Sequence, residues 1–313
     1  MISTTLEILV SLGFWVAVFR VATPLIFGVV GEMLCQRSGV VNLGIEGIMT
    51  MGAMTAWLMV HTGAPLPAGV LTAALAGALL GLIHALWTVR WGLPQPVVGI
   101  AMTLLAMNLS YFIVRAVLPD VTSPPTIDTF RPVMPALTGQ VPLVGPVLAT
   151  FTWYTYAALL LALVFAFVMQ RTPLGLAVRL VGENPLAAES QGINVHVVRF
   201  AAVATGSALM AIGGAFLTTA ATDAFYFGMV NGRGWVCVAL VVLAGWRAPR
   251  ALGVALLFGA FEALQLRLQL RYDQDIAYQF FLIAPYALCI LALVLLSRRG
   301  AQPAALMKPY TRV

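Results

Sequence analysis

Few side chains in this 313-residue sequence could carry covalent chemistry, and those few lie far apart. The three cysteines and the three histidines are scattered singly, so neither a disulfide framework nor a metal site is indicated. The one lysine, Lys308, lies in Met-Lys-Pro, so the phosphate-binding pattern Gly-x-x-x-x-Gly-Lys-Ser/Thr cannot be written anywhere in the chain. We therefore expect no catalytic residue, no cofactor and no metal.

Polar side chains inside the long apolar runs are the remaining candidates, as contacts for a polar solute. Asn42 and Glu46 are four residues apart and would face the same way on a helix. They would form either a polar pair at the membrane rim or part of a broken helix that lines a solute cavity. Asn108 would share a helix face with Tyr111 and Arg115, and would either line a water-filled cavity or bond to another helix.

A second group of polar residues lies in the glycine-interrupted stretch 224–234. The apolar run that follows, Trp235 to Trp246, has only twelve residues, so the membrane crossing must include part of this stretch. Short helices interrupted by glycine are typical of transporter binding sites. Asn231, Arg233 and Trp235 could offer hydrogen bonds and a stacking face to a ribose or a base. The alternative is a re-entrant external loop anchored by Arg233.

The composition excludes an ordinary water-soluble domain. Hydrophobic residues make up 61% of the chain and charged residues 9%, and the mean hydropathy is +0.96. Apolar runs of about 20 residues recur, each long enough to cross the ~30 Å hydrocarbon core as a helix. We predict an all-α fold, a polytopic bundle of nine or ten transmembrane helices surrounded by membrane lipid. The net charge of +6 would set orientation and does not indicate nucleic-acid binding.

These apolar runs supply the elements that would position the polar residues. Residues 3–36 would form two helices, about 3–19 and 24–36, because Thr23-Pro24 offers a helix start. One long helix with a buried Arg20 is the alternative, and it would give nine helices instead of ten. Further spans are expected at about 40–60, 66–89, 95–118, 153–170, 198–220, 224–246, 251–270 and 278–296. Small residues predict close helix packing at Gly77, Gly81, Ala85, Gly206, Gly213 and Gly214.

Basic residues indicate which side of the membrane each loop occupies. If residues 172–193 are cytoplasmic, alternating spans place eleven of the 17 basic residues on that side: Arg37, Arg90, Arg171, Arg179, Arg199, Arg247, Arg250, Arg298, Arg299, Lys308 and Arg312. This agrees with the positive-inside rule. Residues 119–151, an irregular loop because of their seven prolines, would then be external. The whole chain, 1–313, would be a single transmembrane domain.

The segment 172–193 is neither apolar enough for lipid nor disordered in composition. Thr172 and Asn184 are each followed by proline, which is typical of a helix N-cap and first helical position. Gly182 and Gly192 would end the two short helices.

The faces of the second short helix are small. Ala187 and Ala188 would let another protein approach closely, while Glu183 and Glu189 would stay in water. The segment would be either a well-capped cytoplasmic loop or a docking element for a soluble partner, and its residues leave both interpretations open.

Three motifs in order along the chain resemble one known family. They are Ser38-Gly-Val-Val-Asn-Leu-Gly-Ile-Glu-Gly47, then Gly182-Glu-Asn-Pro-Leu-Ala-Ala188 closed by Gly192-Ile193, and last Gly232-Arg-Gly-Trp235. Together they resemble permease subunits of bacterial ABC importers, in the nucleoside and simple-sugar branch, which is related to branched-chain amino-acid permeases. The resemblance runs from about residue 20 to residue 296.

The resemblance implies a permease subunit that is not itself an enzyme, in a bacterial cytoplasmic membrane. The ATPase-coupling residues would be Gly182, Glu183, Asn184, Pro185, Ala187, Ala188 and Gly192. The partners would be an ABC ATPase, a second homologous permease in a heterodimer, and an extracytoplasmic solute-binding protein. The few charges in the spans suit a neutral polar solute, a nucleoside before a simple sugar. An ion-coupled carrier, with Glu46 and Glu262 as its buried carboxylates, is the alternative from another class.

Overall fold

The computed structural model describes residues 9–119, 124–135, 145–272 and 302–310, with positions 283, 287, 290, 291 and 294. Its eleven α-helices within these residues are α1 (Leu12–Arg37), α2 (Ile45–His61), α3 (Leu66–Ala85), α4 (Gln95–Val117), α5 (Gly145–Leu148), α6 (Trp153–Arg171), α7 (Pro173–Glu183), α8 (Pro185–Ser190), α9 (Val195–Phe216), α10 (Arg233–Leu243) and α11 (Ala248–Tyr272). One π turn extends α3 to Arg90, and another extends α9 to Ala221.

The all-helical prediction is confirmed for this part of the chain. Six of its helices are long and apolar enough to cross a membrane: α1, α3, α4, α6, α9 and α11. The predicted number of nine or ten transmembrane helices is not confirmed by them. The predicted last span, 278–296, lies outside the described residues except at a few single positions.

The first span is one continuous helix, so the preferred division at Thr23-Pro24 was wrong. Pro24 lies inside α1, and the Thr23 hydroxyl donates to the carbonyl of Phe19, 2.7 Å away. Side-chain hydroxyls of this kind help transmembrane helices tolerate proline. Arg20 is not buried as the one-helix alternative assumed: its side chain is exposed and donates to the carbonyl of Ala221.

Close helix packing around α9 builds the centre of the bundle. A Cβ added to Gly77 of α3 would collide with Ala211 and Ser207 of α9. A Cβ added to Gly214 of α9 would collide with the backbone of Met49 in α2. The glycines predicted to permit close approach therefore do so, because without a side chain two backbones can come into contact.

Two helices begin inside the protein. The chain from Ser38 to Gly44 is almost wholly buried, and α2 starts at its end. α10 follows Gly232, whose φ of +79° is a left-handed conformation that favours glycine. With 11 residues, α10 spans about 16 Å, roughly half of the hydrocarbon core. The predicted break at Gly232 before a short apolar helix is therefore present.

The proline-rich connection is irregular over residues 124–135, as predicted. Backbone hydrogen bonds hold it to the chain after α9: the Ile127 amide donates to Asp223 over 2.8 Å, and the Phe130 amide donates to Thr219 over 2.9 Å. The Trp57 indole of α2 also donates to the carbonyl of Pro125, over 3.1 Å. This connection therefore covers the ends of α2 and α9.

Candidate functional site

The segment 172–193 forms the two short helices that its caps predict. The Thr172 hydroxyl accepts from the Gly175 amide at 3.2 Å, and the Asn184 side-chain oxygen accepts from the Ala187 amide at 3.1 Å. Gly192 follows the second helix with a left-handed φ of +80°. Local sequence is sufficient for this geometry because each cap reaches only three residues along the chain.

Gly182 has a different role from the predicted one. α7 continues to Glu183, so Gly182 does not end the helix. A Cβ at this position would collide with the backbone carbonyl of Arg37 at the end of α1. The Glu183 carboxylate is partly exposed and pairs with the Arg37 guanidinium at 3.4 Å. Gly182 thus permits α7 to lie directly on the end of α1.

Ala188 is fully buried, which corrects the prediction that its small side chain faces a partner. It packs with Val181 of α7 and Val195 of α9. The outward surface of the helix pair carries exposed leucines instead: Leu174, Leu176 and Leu186. Ala187 is half-buried, and Asn184 is exposed.

The chain from 302 to 310 fastens the helix pair to the bundle. The Ala305 amide donates to the carbonyl of Gly182 at 2.9 Å, and the Tyr310 hydroxyl donates to the Glu189 carboxylate. Arg199 of α9, itself buried, donates to the carbonyl of Lys308 at 3.2 Å. The segment is therefore held on both sides, by the end of α1 and by the chain from 302 to 310.

Asn42 belongs to a buried polar cluster between α1 and α9. Its side-chain amide donates to the Ser207 hydroxyl at 2.9 Å, and its backbone amide donates to the Glu32 carboxylate at 3.2 Å. The same Glu32 oxygen accepts from Gln36 at 2.7 Å, and the Trp246 indole donates to Gln36 at 2.6 Å. Asn42 is thus a contact within the fold that supports the buried entry to α2.

Glu46 accepts hydrogen bonds from the beginning of α10. Its two carboxylate oxygens accept from the amides of Gly232 and Gly234, at 2.7 and 2.8 Å. A carboxylate is favoured here because the first amides of a helix are unpaired and carry partial positive charge. Glu46 and Asn42 therefore bond to different helices. α2 is one continuous helix from Ile45, and these two side chains contact protein groups.

Arg233 and its neighbours differ in accessibility. The Arg233 guanidinium pairs with the Glu262 carboxylate of α11 at 2.8 Å, and it also donates to the carbonyl of Met229. Asn231 is exposed, with a left-handed φ of +52°, and Trp235 is 39% exposed. Of this trio, Asn231 and Trp235 present open surface, whereas Arg233 joins two helices.

Asn108 lies on the exposed face of α4, and its amide donates to the carbonyl of Leu104 on the same helix, 2.7 Å away. Tyr111 and Arg115 follow on this face, as predicted. The Tyr111 hydroxyl accepts from the Gly228 amide at 3.0 Å, and the Arg115 guanidinium lies 5.7 Å from the centre of the Phe227 ring. The structure therefore brings α4 and the stretch 224–231 together.

A cavity of about 220 Å³ opens where these elements meet. Its lining includes Trp57, Arg115, Phe225, Tyr226 and Phe227. Sequence reasoning missed this aromatic lining. The run Phe-Tyr-Phe before Gly228 was a signal for it, but its contact with α4 depends on residues more than a hundred positions apart. Glu32 was also missed as a polar centre, although its spacing of four from Gln36 indicates a side-chain contact.

Comparison with known proteins places most of the chain in one family. Residues 14–296 match the family described as "Branched-chain amino acid transport system / permease component". The guanosine ABC transporter permease NupQ of Bacillus subtilis is 35% identical over 93% of this chain and 94% of that protein. The nucleoside ABC transporter permease NupC of Lactococcus lactis is 32% identical over 91% and 92%. The putative glucose ABC transporter permease TsgC13 of Haloferax volcanii is 36% identical over 81% and 77%.

The match covers most of the chain, including the capped segment 172–193 and the short helix α10. This family match therefore excludes the alternative function of an ion-coupled secondary carrier. The six long apolar helices agree with a multi-pass protein of the cytoplasmic membrane. The chain belongs to the branched-chain amino acid transport system permease family and is the membrane-spanning permease subunit of an ABC importer.

Proposed function

We propose that this permease carries a nucleoside. The observation that carries the proposal is the 35% identity with a guanosine permease along almost the full length of both chains. The aromatic cavity beside α4 adds a physical reason, because a base stacks on aromatic rings with a gain of about 1–3 kcal/mol. In this proposal Phe227 and Tyr226 receive the base before it enters the membrane.

The charges at the broken helices favour an uncharged solute. Transporters of anions often direct the positive N-terminus of a broken helix at the solute. Here the N-terminus of α10 is met by Glu46, and Arg233 is met by Glu262. A nucleoside or a sugar is uncharged, so its binding does not require an unpaired helix N-terminus or an unpaired Arg233.

The segment 172–193 is the proposed contact with a separate ATPase subunit. Asn184, Pro185 and Ala187 would lie at this contact together with the exposed Leu186. Gly182, Glu183, Ala188 and Gly192 would act indirectly, because they shape the helix pair and hold it to α1 and α9. A rigid element of this kind can transmit ATPase closure to the spans.

The remaining partners are proposed from the family. A second, homologous permease would cover one of the exposed apolar helix faces, which on α3 include Leu71, Leu75 and Leu79. A solute-binding protein would dock on the external surface formed by residues 124–135 and the stretch after α9.

A simple sugar is the second candidate, because the putative glucose permease is 36% identical. Uptake by the complete reconstituted importer distinguishes the two. We expect labelled guanosine to accumulate with ATP and unlabelled glucose in excess not to compete. No guanosine uptake together with ATP-dependent accumulation of labelled glucose would favour the sugar.

A variant of the cavity sharpens this test. Phe227→Ala should raise the guanosine concentration for half-maximal uptake about tenfold, from the loss of one stacking face. Phe112→Ala removes another exposed ring, one that does not line the cavity, and should leave that concentration unchanged. Equal effects of both substitutions would mean that the cavity does not receive the base.

A further inference from the structure

A second cavity, of about 390 Å³, lies at the opposite end of the bundle from the aromatic one. It is formed where α1 and α6 end and α11 begins. Four arginines line it: Arg37, Arg179, Arg247 and Arg250. Its other lining residues are Met169, Gln170, Trp246, Ala248 and Pro249. The lining is therefore a concentration of positive charge with apolar walls.

The described residues balance only part of the positive charge of this cavity. None of the described residues that line it is acidic. Glu183, outside the lining, pairs with Arg37 at 3.4 Å and balances one charge of four. Arg37 is close enough to Arg179 and Arg247 for repulsion between them. An anion in the cavity would relieve this repulsion.

The form of the cavity suits a phosphate group. Arginine presents a planar fork of donors that matches two phosphate oxygens. Arg37 is already oriented, because its Nε donates to the carbonyl of Trp246 at 2.7 Å. Trp246 and the preceding Gly245 both have a left-handed φ, and this turn directs the chain from α10 into α11 beside the cavity. Part of the anion site is therefore fixed before any ligand arrives.

The surroundings point to a phosphate carried by a lipid. The cavity lies at the ends of two membrane spans and the start of a third. The exposed side chains of Leu160, Leu163 and Phe167 form an apolar line along α6 that leads toward it. Acyl chains could lie along this line while the head group enters the cavity. Basic pockets between transmembrane helices on the cytoplasmic side commonly bind acidic head groups.

We propose that this four-arginine cavity binds the phosphate head group of an acidic phospholipid of the inner leaflet. Because Arg179 belongs to α7, the bound lipid also contacts the helix pair 173–190. The proposal does not depend on which solute is carried.

The test measures lipid retention by the purified full-length protein, by native mass spectrometry. Phosphatidylglycerol is the probe, phosphatidylcholine the neutral comparison, and inorganic phosphate the soluble competitor. The double variant Arg247→Gln/Arg250→Gln removes two exposed lining charges, and Arg250→Gln removes one. Arg90→Gln is the matched control, because Arg90 is an exposed arginine at the same end of the bundle that does not line the cavity.

We expect the wild type to retain phosphatidylglycerol over phosphatidylcholine. The double variant should bind it about thirtyfold more weakly and the single variant about fivefold, from about 1 kcal/mol for each arginine at an acidic surface. Arg90→Gln should bind as the wild type does, and inorganic phosphate should not displace the lipid.

Three results would overturn the proposal. Equal retention by the wild type and the double variant would place the lipid elsewhere. Displacement by millimolar inorganic phosphate would assign the cavity to a soluble phosphate. Loss of a co-purified ATPase without any change in lipid retention would assign the arginines to a contact between subunits.

Discussion

The two ends of the short helix α10 meet charge in different ways. At its N-terminus, against the buried start of α2, Glu46 accepts two backbone hydrogen bonds and Arg233 is paired with Glu262. Beyond its C-terminus, four arginines line an open cavity, and Glu183 balances one of them. Charge inside a bilayer is costly unless the protein pairs it, whereas charge at the boundary can be met by water, lipid or another subunit. The interior is therefore built for stability, and the boundary is available for binding.

Removing the Glu46 carboxylate should lower the stability of the protein more than the substitutions that follow. Glu46→Ala leaves the amides of Gly232 and Gly234 without their acceptor inside the protein. We expect the free energy of unfolding to fall by about 3 kcal/mol, from about 1–3 kcal/mol for each unpaired donor. Thermal unfolding in detergent measures the loss. Glu46→Gln keeps an acceptor and should lose less, and equal stability of wild type and Glu46→Ala would contradict the account.

A methyl group at Gly182 should have the next largest effect, because it would collide with the carbonyl of Arg37. Gly182→Ala should lower stability by about 2 kcal/mol through overpacking and should displace α7 from α1. Gly192→Ala is the matched control. Gly192 has a left-handed φ but open space around it, so only about 1 kcal/mol of backbone strain is expected. The reverse order in thermal unfolding would show that α7 does not depend on this contact.

A charge on the outer surface of the helix pair should affect binding without affecting the fold. Leu186 is 57% exposed, so Leu186→Glu should leave thermal unfolding unchanged. It should reduce retention of the ATPase subunit about tenfold, as expected for a central contact worth more than 1 kcal/mol. Gln191→Glu adds the same charge at an exposed position after α8 and should have little effect. Ala188→Glu is unsuitable, because Ala188 is buried and its substitution would disrupt the segment itself.

Local signals allowed the capped helix pair and the close-packed helices to be predicted. Asn184 and Thr172 act over three residues, and glycine at helical spacing on α3 and α9 suffices to indicate a tight crossing. These features depend on short stretches of chain, so their physics is contained in the sequence pattern.

Features that depend on distant parts of the chain could not be predicted in this way. Pro24 favours a helix start in isolation, yet Thr23 and the packing of α1 keep the helix continuous. Ala188 is small enough for a docking surface, but it is covered by Val181 and Val195. The partner of Glu46 lies 186 positions away, at Gly232. Tertiary contacts decided each of these outcomes.

The most direct test of the account is photocrosslinking from position 186 in the assembled importer. A photoreactive residue replacing Leu186 should join the ATPase subunit, because the account places α8 at that contact. The same residue replacing Tyr226, exposed at the opposite end of the bundle, should not join it. Crosslinking to the ATPase from position 226, or none from position 186 in a complex that hydrolyses ATP and transports solute, would contradict the account.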